Sequence, residues 1–190
     1  MAIQICSGIF DGCYGLTGNI PEKLFVNCSQ VTSFSRAFSD CKGLNGVIPD
    51  GLFSNCCKVT NFSRVFYGCT GLTGISENLF EKCTEVTDFS YAFCDCTGIP
   101  NIPESLFLSC KNVKDFSCVF YKCSELTNIP ERLFESCTNV SRFNSAFYEC
   151  SSLTGNAPEL WNRTNITSSS QCFKGCTNLT NYADIPSTWK

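Results

Sequence analysis

The stretch Leu126 to Ser152 constrains this chain more than any other feature, because the rest of the sequence repeats it. It holds two similar halves, LTNIPERLFESCTN and VSRFNSAFYECSS. The first half fits the template L-T-x-I-P-E-x-L-F-x-x-C and the second V-T-x-F-S-x-A-F-x-x-C. A period of 27–28 residues repeated end to end is the signature of a solenoid, in which each unit buries its apolar side only against its neighbours. Coils start at Leu16, Leu44, Leu72, Ile99, Leu126 and Leu153, and their second halves at Val31, Val59, Val86, Val113, Val140 and Ile166. No linker, Gly/Ser tract or charge block interrupts them. The expected organisation is therefore one solenoid over 1–190 of about 6.5 coils. Residues 1–15 form an incomplete first coil, with Ile3-Gln4-Ile5-Cys6 on the V-T-x-F start. Residues 153–190 are degenerate capping coils, with Arg163 and Thr164 near a missing Cys and Ser169 in a Phe slot.

The template places the core. All 17 phenylalanines fall on three ladders, represented in the middle coils by Phe89, Phe93 and Phe107. Twelve of the 17 cysteines fall on two more, one through Cys41, Cys69, Cys96 and Cys123, the other through Cys28, Cys56, Cys83 and Cys110. In each half the opening residues alternate apolar and polar, the pattern of a short strand with one buried face. Pro and an acid follow in most first halves, as at Pro103-Glu104 and Pro130-Glu131; Ser35, Ser63, Ser90, Ser117 and Asn144 follow in the second. Both patterns predict short helical turns, proline in the first turn and Ser or Asn as N-cap. The fold class is an α/β repeat solenoid of leucine-rich-repeat type, short parallel strands alternating with short helical turns. Stacked at the strand spacing, the coils make a rod on the order of 30 Å long.

Charge and composition exclude several functions. A net charge of −3 with no Lys/Arg cluster argues against a nucleic-acid surface. No apolar run is long enough to cross a bilayer, and Met1 to Phe10 lacks the basic start and apolar stretch of a signal peptide. With no histidine, Ser-His and Cys-His nucleophile systems are absent, and no cysteine pair has zinc-ligand spacing. The expectation is a non-enzyme with no metal and no cofactor. The ladder cysteines read as small buried hydrophobes with mostly free thiols; disulfides between parallel stacked positions hold poorly.

The recurring V-T-x-F-S-x-A-F-x-x-C, joined by L-T-x-I-P, resembles the BspA-like class of leucine-rich repeat. It is also similar to Phe- and Cys-rich repeats of bacterial surface and bacteriophage proteins. The similarity runs from Ile3 to about Trp189, with coils longer than the common form. It implies an adhesion or interaction module at an extracellular, cell or virion surface.

Two sets of residues are candidates for the binding face. Tyr67, Tyr121 and Tyr148 each follow a ladder Phe, and Tyr91 lies on the same turn of its coil. Regularly spaced tyrosines offer a platform to sugars or to a protein. The outward strand slot carries Ser33, Asn61, Asp88, Asp115, Arg142 and Ser168, varied in charge where the inner slots are constant. Asp88 and Asp115 read as solvated carboxylates rather than calcium ligands. The sequons at Asn27, Asn61, Asn139, Asn162, Asn165 and Asn178 follow from a template rich in Asn, Ser and Thr. The expected partner is a protein or glycan on a cell surface. The alternative is a structural subunit of a fibre or capsid, docking on itself or a neighbouring chain through the N-terminal coil.

Overall fold

A computed structural model describes residues 5–190; Ile3 and Gln4 of the first coil's template lie outside them. Successive coils stack in parallel. The second-half strand slots form a continuous row of bridges, Ile5 to Ser33, Ser33 to Asn61, Asn61 to Asp88, and on through Asp115 and Arg142 to Ser168. The first halves pair less regularly. They include the two strands found among the described residues, β1 (Gly46–Ile48) and β2 (Leu72–Ile75), which are parallel with an irregularity between Gly46 and Val47.

The phenylalanine ladders fill the space between the two halves. Phe89 is fully buried and stacks on Phe62 at 5.6 Å and Phe116 at 5.8 Å. It also meets Phe80 and Phe107, from the facing half, at 4.7 and 4.9 Å with tilted rings. Stacking along each ladder and tilted contact across it recur from coil to coil, and Phe89 touches four other rings in this way. Burial of each such side chain contributes roughly 1.5–3 kcal/mol. Where Ser169 interrupts a ladder, Trp189 packs instead against Phe143, Phe173 and Trp161, each at 6.4–6.5 Å. Its carbonyl accepts the Phe173 N–H at 2.8 Å.

The helical turns expected after the strands are corrected by the backbone. After Phe34, the N–H of Ala37 returns to the Phe34 carbonyl and that of Cys41 to Phe38, closing two successive turns. The third residue of each, Arg36 and Asp40, has φ of +58° and +57°, the type II pattern rather than a helix. The same two slots are left-handed in later coils, at Arg64, Tyr91, Cys118, Ser145 and Gln171, and at Gly68, Asp95, Lys122, Glu149 and Gly175. A left-handed residue costs about 1–2 kcal/mol without glycine. The stack offsets it: Phe34, Arg36, Phe38 and Asp40 turn their N–H groups outward to the carbonyls of Asn61, Ser63, Val65 and Tyr67 in the next coil. A helix would keep those donors inside the coil, leaving the neighbouring carbonyls unpaired in the core.

Serine is consequently not the helix cap it resembled. Its own N–H is capped by the preceding strand slot: Asn61, Asp88 and Asp115 Oδ1 accept from Ser63, Ser90 and Ser117 at 2.7–2.8 Å. In the first halves the turns are tighter, and Asp50–Phe53 is a 3-10 helix with Pro49 just outside it in extended conformation.

The cysteines are all free, and the ladder thiols have a bonding role beyond filling space. Cys41, Cys69, Cys96, Cys123, Cys150 and Cys176 each donate to the carbonyl of the ladder Phe one coil back, at 2.9–3.1 Å. That carbonyl already accepts a turn N–H, so the thiol satisfies its second lone pair. Arg163, beside the missing Cys of the other ladder, donates its guanidinium to the Phe134 and Cys137 carbonyls at 2.5 and 2.9 Å.

Candidate functional site

The strand slot and the type II turns that follow it form one continuous face. On the strand slot, the carboxylates of Asp88 and Asp115 build turns, as the Ser90 and Ser117 bonds show, and are not simply solvated. The second oxygen of Asp115 pairs with Arg142 at 3.3 Å, which leaves the exposed Arg142 as the charge nearest solvent. Asn61 is committed to its own turn in the same way. Among the described residues no group of three or more His, Cys, Asp or Glu side chains converges on a metal position.

On the turn face the structure brings Tyr121 and Tyr148 together and leaves Tyr67 and Tyr91 apart from them. Tyr121 and Tyr148 stack at 4.8 Å with 5° between the rings. Lys122 Nζ lies 5.5 Å from the Tyr121 ring and Lys174 Nζ 5.7 Å from that of Tyr148. Lys122 also meets Glu149 at 3.6 Å, and a hydrogen bond to Glu149 raises the Tyr148 phenol above its ordinary value. Tyr67 has no ring partner on that ladder, because the intervening coil carries Cys94 in its slot. Burial raises its phenol. Tyr91 occupies the left-handed slot instead, under the Arg64 guanidinium at 4.7 Å. Its hydroxyl bonds the Cys118 side chain, which raises its pKa.

Two features were not anticipated from the template. Arg36 and Arg64 stand in the same left-handed slot of adjacent coils, beside Tyr67 and Tyr91, and line a depression of about 310 Å³. The signal was present in the matching S-R-A-F and S-R-V-F of those coils. On the opposite edge, Glu77, Glu104, Arg132 and Glu135 surround a depression of about 420 Å³ with Leu108, which is 61% exposed. Leu108 is visible only as an apolar residue in a slot that three other coils fill with Ser54, Glu81 and Glu135 and that Val26 shares.

The thiols offer no nucleophile within the core. Burial pushes Cys41 up to about 11 and Cys56 up to about 12, and raises Cys96, Cys123 and Cys150 well beyond the usual thiol range. At neutral pH all are protonated donors. Among the described residues no helix is long and apolar enough to cross a membrane.

The family described as "Mycoplasma protein of unknown function, DUF285" matches residues 2–104, 54–143 and 83–189 in overlapping segments. No curated protein matches the chain. Among solved structures it is similar to the glycosylated Toll–Spatzle complex of Drosophila, at 16% identity and a TM-score of 0.40. It is similar also to the plant peptide hormone receptor RGFR1 in complex with RGF2, at 20% and 0.43. A third is the T. pallidum leucine-rich-repeat protein, at 22% and 0.43. These alignments cover 93%, 86% and 85% of this chain. The chain spans 28% and 29% of the first two and 76% of the third. The solenoid itself rests on the bridges and ladders described above.

Proposed function

We propose, for a chain that belongs to the DUF285 family, a non-catalytic interaction module of BspA-like leucine-rich-repeat type that binds a protein partner at an extracellular, cell or virion surface. The observation that carries this reading is the Tyr121–Tyr148 stack. Both rings are half-buried, each has a lysine against it, and both stand on coils locked by the ladder beneath. Little side-chain entropy remains to be lost on binding, which is the usual condition for an aromatic hot spot. A sugar ring needs an aromatic face to lie on, and in this stack each ring already covers one face of the other. Edges with flanking lysines suit a protein surface that supplies carboxylates and backbone carbonyls. Arg142 and the Asp88 and Asp115 slot extend the same face along the strand row.

The test is a screen of the purified chain against paired arrays of extracellular proteins and glycans. The expected result is a protein hit whose affinity falls at least tenfold in Tyr121→Ala or Tyr148→Ala, about 1.4 kcal/mol or more, and is unchanged by Leu108→Ala. Binding to glycans alone, or a protein hit indifferent to both tyrosines, would overturn the reading.

One observation favours the structural-subunit alternative. Of the large apolar residues that are exposed, Ile5, Ile9, Tyr14, Leu24 and Val26 cluster in the first two coils. Clustered apolar exposure marks a contact surface. Light scattering of the chain in reducing buffer distinguishes the two: a monomer supports the binding module. A defined oligomer that dissociates in Ile5→Asp with Ile9→Asp supports docking through that coil.

A further inference from the structure

Four of the five arginines are held by oxygens of the chain itself. Arg36 pairs with Asp11, Arg132 with Glu135 and Arg142 with Asp115, while Arg163 donates to two core carbonyls. Arg64 is the exception. Among the described residues no carboxylate lies within ion-pair distance of its guanidinium, and no side chain or carbonyl accepts a hydrogen bond from it. The residue is nonetheless half-buried, with the Tyr91 ring 4.7 Å from the guanidinium. That ring attracts the charge but supplies no oxygen to the five N–H donors. The backbone beneath is fixed by the stack: the Arg64 N–H donates to the Ser90 carbonyl at 2.9 Å.

Arg64 shares its depression of about 310 Å³ with Asp11, Arg36, Asp40, Tyr67 and Tyr91. Asp11 is engaged with Arg36 at 3.7 Å. Asp40 is turned toward the next coil, where a Cβ on Gly68 would come within 2.6 Å of its Oδ1. The open guanidinium is a planar fork that matches the two coplanar oxygens of a carboxylate. Asp40, in the same depression, opposes a second negative charge, so a monoanion fits better than a phosphate dianion. The Tyr67 and Tyr91 rings supply apolar surface for the methylene groups of a side chain.

We infer that Arg64, flanked by Tyr67 and Tyr91, is a subsite for a single glutamate or aspartate side chain presented by a protein partner. That the carboxylate comes from a protein rests on the protein-binding reading above. The subsite itself shares no residue with the Tyr121–Tyr148 stack.

The experiment is a titration of the full chain, carrying isotope-labelled arginine, with N-acetylglutamate N-methylamide at constant ionic strength. Nuclear magnetic resonance reads the arginine Nε–Hε signals, and through-bond correlation assigns them without any variant. The Arg64 signal should move saturably while those of Arg132 and Arg142 stay in place. Half-saturation should come at a concentration roughly threefold or more below that needed with acetate or inorganic phosphate. The corresponding glutamine derivative should leave Arg64 unmoved. Asp40→Asn removes the opposing charge and keeps a residue type that tolerates φ of +57°, so it should lower the half-saturation about twofold or more. An unresponsive Arg64, a response to the glutamine derivative, arginines that all move alike, or weaker binding in Asp40→Asn would overturn the site. Tighter binding of phosphate would overturn the choice of a carboxylate, and equal binding of acetate would overturn its origin in a protein side chain. None of these readouts involves Tyr121 or Tyr148, so failure here is distinct from failure of the protein-binding reading.

Discussion

Raising the pH from 8 to 10 in the presence of a reductant is expected to unfold this protein cooperatively, through its cysteines. The seven thiols at Cys69, Cys83, Cys96, Cys110, Cys123, Cys150 and Cys172 are all raised from the ordinary value of 9.0 by burial. Their protons are retained in the folded chain at pH 10 and released from the unfolded one. A group whose folded pKa lies above its unfolded value contributes fully below the unfolded value, and its contribution is lost as pH rises beyond it. One pH unit above 9.0, each thiol favours unfolding by roughly 1–1.5 kcal/mol, and seven together by about 10 kcal/mol. That equals the whole stability of a typical domain. Urea titrations followed by circular dichroism at pH 7, 8, 9 and 10 give the answer. The midpoint should hold to pH 8, fall at pH 9 and vanish by pH 10. A midpoint that holds through pH 10 would show that these seven thiols are not buried in the folded chain.

Replacing Phe89 by alanine is expected to cost about 3–5 kcal/mol, the range for a large aromatic removed from a packed core. The upper part of that range applies because four rings surround it, on Phe62, Phe80, Phe107 and Phe116. None of them can collapse into the gap without leaving its own ladder. The hydrogen bonds of the adjoining turn tie the loss to both neighbouring coils, since the Phe89 N–H donates to Asp115 and the Phe62 N–H to Asp88. Equilibrium unfolding of Phe89→Ala beside Leu108→Ala measures the contrast. The exposed Leu108 should change stability by no more than about 0.5 kcal/mol. Equal losses at the two positions would contradict the ladder description.

The coil was legible because its cause is local and repeated. A ring at every template Phe and a thiol at every template Cys can be buried together only if the chain returns to the same place once per period. Phe89 and Phe107 were therefore placed in the core by spacing alone, and the structure holds both there. The turn type was not legible in the same way. S-R-A-F and N-S-A-F have the composition of a capped helical turn, and only the carbonyl row of the next coil selects a left-handed residue at Arg36 or Ser145. That choice is made between coils, by atoms 25 to 27 residues away, and a window confined to one half-coil does not contain it.

The same division runs through the candidate face. The sequence determined which slots point outward, because a period of two in the strand leaves every second residue on the surface. Which outward residues meet was decided by tertiary structure. Tyr121 and Tyr148 stack because their coils are adjacent, whereas the Cys94 coil separates Tyr67 from them and the left-handed turn takes Tyr91 to Arg64. Asp88 and Asp115 were read as free carboxylates, and the fold spends one oxygen of each on a backbone N–H that the type II turn leaves unpaired. Periodicity fixes which side of the coil a residue occupies. Contact requires the stacking of coils, and hydrogen-bond satisfaction across that stack sets its geometry.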